Sequence, residues 1–215
     1  MTERAWLIDV YETTLTIEFS VIWEEFGRLS GVAPKVLRHA ADDLAPEVMV
    51  GRRTFRGALE TAFLRCGVTA DDRLLDEMMA ADRRLLRDLT HVHEDAADLL
   101  ARIRAAGEPV AFVSNCDDNT RQLLVDLGLA DQVDALVLSH EVGSAKPDAV
   151  IYERALAVLD VPRESAVLVD DQASFCAAAL ALGIGAVQIA RADRPATAPE
   201  TPTVVTSLDE VGPGT

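Results

Sequence analysis

The chain has 215 residues, 49% of them apolar and 26% charged, and carries a formal charge of -16. That length holds one good-sized domain, or a core with a smaller insertion, and can bury a substantial apolar interior. The charge repels phosphate backbones and sets nucleic acid aside as a partner, and no stretch nears the ~18 uninterrupted apolar residues of a membrane span.

The first element is a short apolar strand, Ala5-Trp6-Leu7-Ile8, which ends in the carboxylate of Asp9 and a cluster of hydroxyls in Tyr11, Thr13 and Thr14. Phe19, Ile22, Trp23, Phe26 and Leu29 then fall at helical spacing, with Gly31 as a stop. From Pro34 to about Thr90 the pattern stays helical, with no convincing strand. Leu59, Phe63 and Leu64 mark one face, and Leu74, Leu75, Met78, Met79, Leu85, Leu86 and Leu89 mark others. This stretch reads as a helical insertion.

From Ala96 the pattern alternates. A helix carrying Leu99, Leu100 and Ile103 ends at Gly107, and a strand runs from Pro109 to Val113. A helix from Thr120 to Leu127 stops at Gly128, a strand covers Ala135 to Leu138, and a helix follows from Asp148 to Leu159. Strand Ala166 to Val169, an alanine-rich helix from Phe175 to Leu182 closed by Gly183, and strand Ala186 to Ile189 complete the series. Strands alternating with helices predict an α/β fold, a doubly wound and mostly parallel Rossmann-like sheet covered on both faces. Residues 191–202 read as a loop, and 203–211 as an added edge strand before a frayed Gly-Pro-Gly end.

Polar residues collect where the strands end, which is where ligands sit in open α/β sheets. They are Asp9-Val10-Tyr11-Glu12-Thr13, then Ser114-Asn115, then Gly143-Ser144-Ala145-Lys146-Pro147, and last Asp170-Asp171. In this order they resemble the four motifs of the haloacid dehalogenase-like hydrolases, over nearly the whole chain and including a helical cap inserted after the first motif. The resemblance implies a core domain from residues 1–13 and 92–215, a cap of the C1 type from 14–91, and hydrolase activity. It also implies a small anionic substrate and Mg²⁺ as cofactor.

Each motif also has its own chemical logic. A carboxylate such as Asp9 can act as a nucleophile, splitting one hard displacement into two easier ones. Ser114 offers a hydroxyl, and the N–H groups after it can hold phosphoryl oxygens; Asn115 can orient the substrate or the loop. The ammonium of Lys146 can neutralise the nucleophile and the charge that builds during transfer. Asp170 and Asp171, with Asp9 and the Tyr11 position, form a hard oxygen set suited to Mg²⁺. Asp171 aligns with the acid that ends the family's Gly-Asp form of this motif.

Two positions depart from the pattern. In phosphatases of this family, the residue two after the nucleophile is a second Asp that protonates the leaving alkoxide; here it is Tyr11, a weak acid of reference pKa ~10. Glu12 stands where the family has glycine, and Gln172-Ala173-Ser174-Phe175-Cys176 where another Asp or Asn supports the metal. Tyr11 resembles instead the 2-haloacid dehalogenases, whose halide leaves without a proton. Such an enzyme needs a cation for its substrate, with Arg28, Arg38, Arg52, Arg53 and Arg56 as unranked candidates.

Three widely spaced cysteines, Cys66, Cys116 and Cys176, suggest neither a disulfide framework nor a zinc site. The four histidines, His39, His91, His93 and His140, lack ligand spacing beyond His91-x-His93, which reads as a link from cap to core. The expectation is a cytoplasmic monomer or homodimer acting as a Mg²⁺-dependent phosphatase through an aspartyl-phosphate on Asp9, with no membrane partner. A dehalogenase acting on carbon, and a family member without catalysis that binds or regulates, stand as alternatives.

Overall fold

Strand β1 (Ala5–Ile8) is wholly buried and pairs in parallel with β4 (Val110–Ser114) on one side and β6 (Ala166–Asp170) on the other. In a computed structural model, which describes residues 4–191 and 203–213, these are the middle strands of a six-stranded parallel sheet. With β5 (Ala135–Leu138), β7 (Gly185–Ile189) and β8 (Val204–Val205), its order is β5-β4-β1-β6-β7-β8. The strand that ends in Asp9 is therefore central, as expected.

Alternation along the strands distributes the core to both faces. Trp6, Ile8, Val110 and Phe112 pack with Leu99, Leu100 and Ile103 of α6 (Glu94–Ala106) and with Leu123 and Leu124 of α7 (Thr120–Asp126). Ala5, Leu7, Ala111, Val113 and Leu168 pack on the other face with Ile151, Tyr152 and Ala155 of α9 (Ala149–Leu159) and Ala179 of α10 (Ala173–Ala181). Both faces are covered, so the strands can be apolar throughout.

Between β1 and α6 the chain leaves the sheet along a ribbon absent from the expected elements. Strand β2 (Leu15–Ile17) pairs antiparallel with β3 (Thr90–Val92), the latter lying where the link from cap to core was expected. Three residues per strand give no readable alternation, which is why the segment reads as helix and loop. Beyond the ribbon lie α1 (Phe19–Ser30), α2 (Pro34–Asp42), α3 (Ala45–Met49), α4 (Phe55–Arg65) and α5 (Asp72–Leu89), as the helical insertion predicts. Caps set their limits: Thr54 accepts from the Gly57 N–H, Asp71 accepts from the Leu74 N–H, and Gly31 closes α1 in the left-handed region. One further helix, α8 (Ser139–Val142), is a single turn and was not expected.

Two hydrogen bonds and one close backbone approach help seat the cap on the core. The Phe55 N–H donates to Asp118 Oδ1 at 2.8 Å, and Asn119 Nδ2 donates to Asp82 Oδ2 at 2.8 Å. Gly51 lies so close to the His140 carbonyl that a Cβ would stand 2.0 Å from its oxygen, and Gly51 has φ +67° besides. Of the edge strand expected over 203–211, only Val204–Val205 forms β8, and Leu208–Glu210 coils into a 3-10 turn; the loop expected over 191–202 lies, after Arg191, outside the described residues, as do 214–215. No helix among the described residues is long and apolar enough to cross a membrane.

Candidate active site

The ladder between β1 and β6 runs one bond past β1, the Asp9 N–H donating to the Val169 carbonyl at 2.9 Å, so Asp9 and Asp170 emerge side by side. The turn after Asp9 is fixed by Thr14 Oγ1, which donates to the Asp9 carbonyl at 2.7 Å. Glu12 adopts φ +62°, so the chain keeps a left-handed turn without glycine. Such a conformation costs an L-residue about 1–2 kcal/mol, and Thr16 Oγ1 donates to the Glu12 carboxylate at 3.1 Å.

Lys146 reaches this point from the loop after α8. Its Nζ lies 2.6 Å from Asp9 Oδ1 and 2.6 Å from Asp170 Oδ2, with the ammonium wholly enclosed. Burial alone would lower the Lys146 pKa, but Asp170 and Asp9 outweigh it and the net shift is upward. Burial pushes the Asp170 carboxyl up, Lys146 pulling it back and Asp9 adding to the rise. The Phe175 ring centroid lies 5.3 Å from Nζ, an attraction between cation and ring face. Phe175 thus occupies the stretch where sequence looked for a further metal-supporting acid, and its part was not foreseen.

One oxygen from each of Asp9, Asp170 and Asp171 lies within 4.8 Å of the other two. Three hard carboxylate donors from two adjacent strand ends suit a divalent cation such as Mg²⁺. The Gln172 N–H donates to Asp170 Oδ1 at 2.8 Å, and Gln188 Nε2 to the Asp171 carbonyl at 3.0 Å, so the turn carrying both acids is braced.

Ser114 ends β4, the strand paired with β1, fully buried, its hydroxyl without a hydrogen-bond partner among the described residues. A buried orphan of this kind is rare and calls for a partner. Asn115, expected to orient the substrate or the loop, has its amide turned onto the backbone of Lys146. Nδ2 donates to the Lys146 carbonyl at 2.8 Å, and Oδ1 accepts the Lys146 N–H at 2.7 Å. Of the two tasks open to it, orienting the loop is the one its contacts serve.

The Tyr11 side chain does not join the carboxylates either: its hydroxyl is 2.8 Å from Thr120 Oγ1 on α7. Burial raises its pKa well above the ordinary value, Asp117 adding to the rise and Thr120 opposing it. The side chain expected at both the catalytic and the metal-holding positions is therefore a poor acid with a partner of its own.

Around it stand two acids, Asp117 and Asp82, that sequence did not single out. Asp117 accepts the Asn119 N–H at 3.0 Å, and burial shifts its carboxyl upward. Asp82, on the buried stripe of α5 with Leu75, Met78, Met79 and Leu86, is pushed up to about 7 by burial and by Asp117, against the pull of Arg83. An acid in register with an apolar stripe is the signal that would have found it. Cys116 is a buried thiol pushed up to about 12, with its Sγ 3.6 Å from His140 Nδ1.

The cap arginines are engaged elsewhere or turned to solvent. Arg28 pairs with Glu25, Arg38 lies near Asp42, Arg53 pairs with Glu47, Arg56 with Asp72 and Asp76, and Arg52 is exposed.

The chain is 33% identical to a phosphoserine phosphatase of Thermus thermophilus over 145 residues, 66% of this chain and 55% of that protein, so it spans little more than half that relative. It is 32% identical to a phosphoglycolate phosphatase of Rhodospirillum rubrum over 164 residues, 69% of this chain and 67% of that protein. Among solved structures, it resembles the L-2-haloacid dehalogenase of Xanthobacter autotrophicus with chloropropionic acid covalently bound. That likeness has a TM-score of 0.67 and 21% identity, covering 97% of this chain and 96% of that one. The sequence pattern of haloacid dehalogenase-like hydrolases matches residues 4–183, and the chain belongs to that family.

Proposed function

We propose that the protein is a Mg²⁺-dependent phosphatase of small phosphate monoesters, acting through an aspartyl-phosphate on Asp9, with residues 14–91 as the cap over the site. The observation that carries this reading is the clustering of the Asp9, Asp170 and Asp171 oxygens within 4.8 Å. Asp9, Asp170 and Asp171 would hold the ion, and Mg²⁺ bound there would offset the negative charge of the phosphoryl group. The names of the two curated relatives support the same reading.

An Asp9 oxygen attacks phosphorus as the bond from phosphorus to the alcohol oxygen breaks, and the departing alkoxide takes its proton from water. Water then attacks phosphorus, cleaves the bond to Asp9, restores the carboxylate and releases inorganic phosphate. Lys146 holds Asp9 in position and balances charge, Asn115 holds Lys146, and the orphaned Ser114 hydroxyl donates to a phosphoryl oxygen. Tyr11, tied to Thr120, supplies little acid help, a contribution ordinarily worth about 10²- to 10⁴-fold.

A dehalogenase of 2-haloacids would need a cation near the cap, and the described residues lining the cavity within the cap include no lysine or arginine. The test is to assay the chain on phosphate esters and on 2-haloacids, with Mg²⁺ and with EDTA, beside Asp9→Asn. Ester hydrolysis lost with EDTA and with the substitution is expected. Metal-insensitive halide release requiring Asp9 would replace this reading with the dehalogenase, and inactivity on both panels would replace it with the non-catalytic one.

A further inference from the structure

Helices of the cap surround a partly open cavity of about 240 Å³, lined by Phe19, Trp23, Phe55 and Asp82 and reached from the core by Asp117. The rings are fixed by their neighbours: Trp23 meets Phe26 edge-on at 5.5 Å, and Phe26 lies 6.3 Å from Phe55. The cavity is linked to the proposed site through Phe19, which packs on Tyr11 at 6.1 Å, and Asp117, on the loop that follows Ser114.

Its two inner acids are unusual in what they lack. Asp82 is 3% exposed, and while its Oδ2 accepts from Asn119, its Oδ1 has no hydrogen-bond donor among the described residues. Asp117 accepts the Asn119 N–H at 3.0 Å and Thr120 Oγ1 at 3.4 Å, both at the same oxygen, Oδ1. Neither acid has an ion-pair partner among the described residues. Exposed Asp42, also on the lining, has Arg38 Nε 3.8 Å away. Burying a carboxylate without a counter-charge is costly, and aromatic faces beside it attract a cation and do nothing for an anion.

We infer that this cavity receives the leaving-group end of the substrate, and that this end is an organic cation held between Asp82 and Asp117 and against Phe19, Trp23 and Phe55. The substrate class is the phosphate monoester of an amino or quaternary-ammonium alcohol. The assignment of substrate rests on the phosphatase reading; the preference of the cavity for a cation does not. A leaving group carrying a carboxylate would meet like charge here.

The test compares choline with its neutral isostere 3,3-dimethylbutanol by calorimetry on the intact chain, then the KM values of their phosphate esters with Mg²⁺. Choline is expected to bind at least about tenfold more tightly, and its ester to show the lower KM. Both advantages should shrink toward unity in Asp82→Asn and in Asp117→Asn, isosteric changes whose folding is checked by circular dichroism. Equal binding of the two alcohols, or an advantage that survives both substitutions, overturns the inference. Esters hydrolysed without a KM preference also overturn it and leave the phosphatase reading intact. Choline preference with no ester hydrolysis upholds the cavity's cation preference and overturns the phosphatase reading alone.

Discussion

Asn115 and Lys146 are joined twice, the amide nitrogen donating to the lysine carbonyl at 2.8 Å and the lysine N–H donating to the amide oxygen at 2.7 Å. A side chain 31 residues away in sequence thus performs the work of a strand partner for the one residue whose ammonium touches both Asp9 and Asp170. Asn115→Ala should lower kcat by about 10²-fold, as expected when a reacting group loses its positioning, with a smaller change in KM. Steady-state kinetics on a single aryl phosphate checks this, and a rise in KM alone would return Asn115 to direct substrate binding.

Lys146→Met would leave two buried carboxylates facing each other without their cation. In EDTA the variant should unfold with about 3–5 kcal/mol less stability, the cost of breaking a buried pair from one side. Saturating Mg²⁺ should stabilise the wild-type chain by about 2.7 kcal/mol at a hundredfold excess over its Kd, and Asp171→Asn should remove most of that increment. Urea unfolding with and without the ion measures both effects, and a Mg²⁺ increment unchanged in Asp171→Asn would count against this ligand.

The hydroxyl of Tyr11 is held by Thr120, so proton delivery to the leaving group should limit turnover of poor leaving groups. Tyr11→Asp should raise kcat on alkyl phosphates more than on aryl phosphates, by up to about 10²-fold, the low end of acid help. Tyr11→Phe should leave the ratio of alkyl to aryl turnover where it was and reduce stability by about 1 kcal/mol for the lost hydrogen bond. An equal response of both ester types to Tyr11→Asp would refute the account.

Asp82 makes folding stability depend on pH. Its carboxyl is raised to about 7 in the folded chain, against about 3.9 in an unfolded one. Below the lower value both states are protonated and nothing is lost. Between the two the unfolded chain ionises first, so stability falls as pH rises, by at most about 4 kcal/mol, and levels off above the upper value. Asp82→Asn should flatten this slope. Urea unfolding at pH 4.5 and pH 8 in EDTA, wild type beside variant, would show it; parallel slopes would mean that Asp82 ionises normally.

Much of this arrangement can be read from the chain because apolar strands and capped helices leave local signatures. Strand β5 spans Ala135–Leu138 as expected, and α9 starts after Asp148, whose side chain caps it. The acids and Lys146 could be located because each ends or follows an apolar run. What escaped depends on contacts distant in sequence. The ribbon of β2 and β3 is too short to alternate, and α8 is one turn long. Phe175 looks like any helix residue until Lys146 lies against it, and the direction of the Tyr11 and Asn115 side chains is decided by Thr120 and Lys146. Glu12 shows the reverse case: standing where the family has glycine, it still keeps a left-handed backbone, its N–H donating to the Leu15 carbonyl.

Gly51 gives the molecule a mechanical handle. Where the cap rests on the His140 carbonyl there is room for a hydrogen and not for a methyl, so the smallest side chain introduced there acts as a wedge. Gly51→Ala would press the cap away from the core at that point without touching an acid or a ring of the proposed site, so the seating of one on the other can be altered from a residue outside that site.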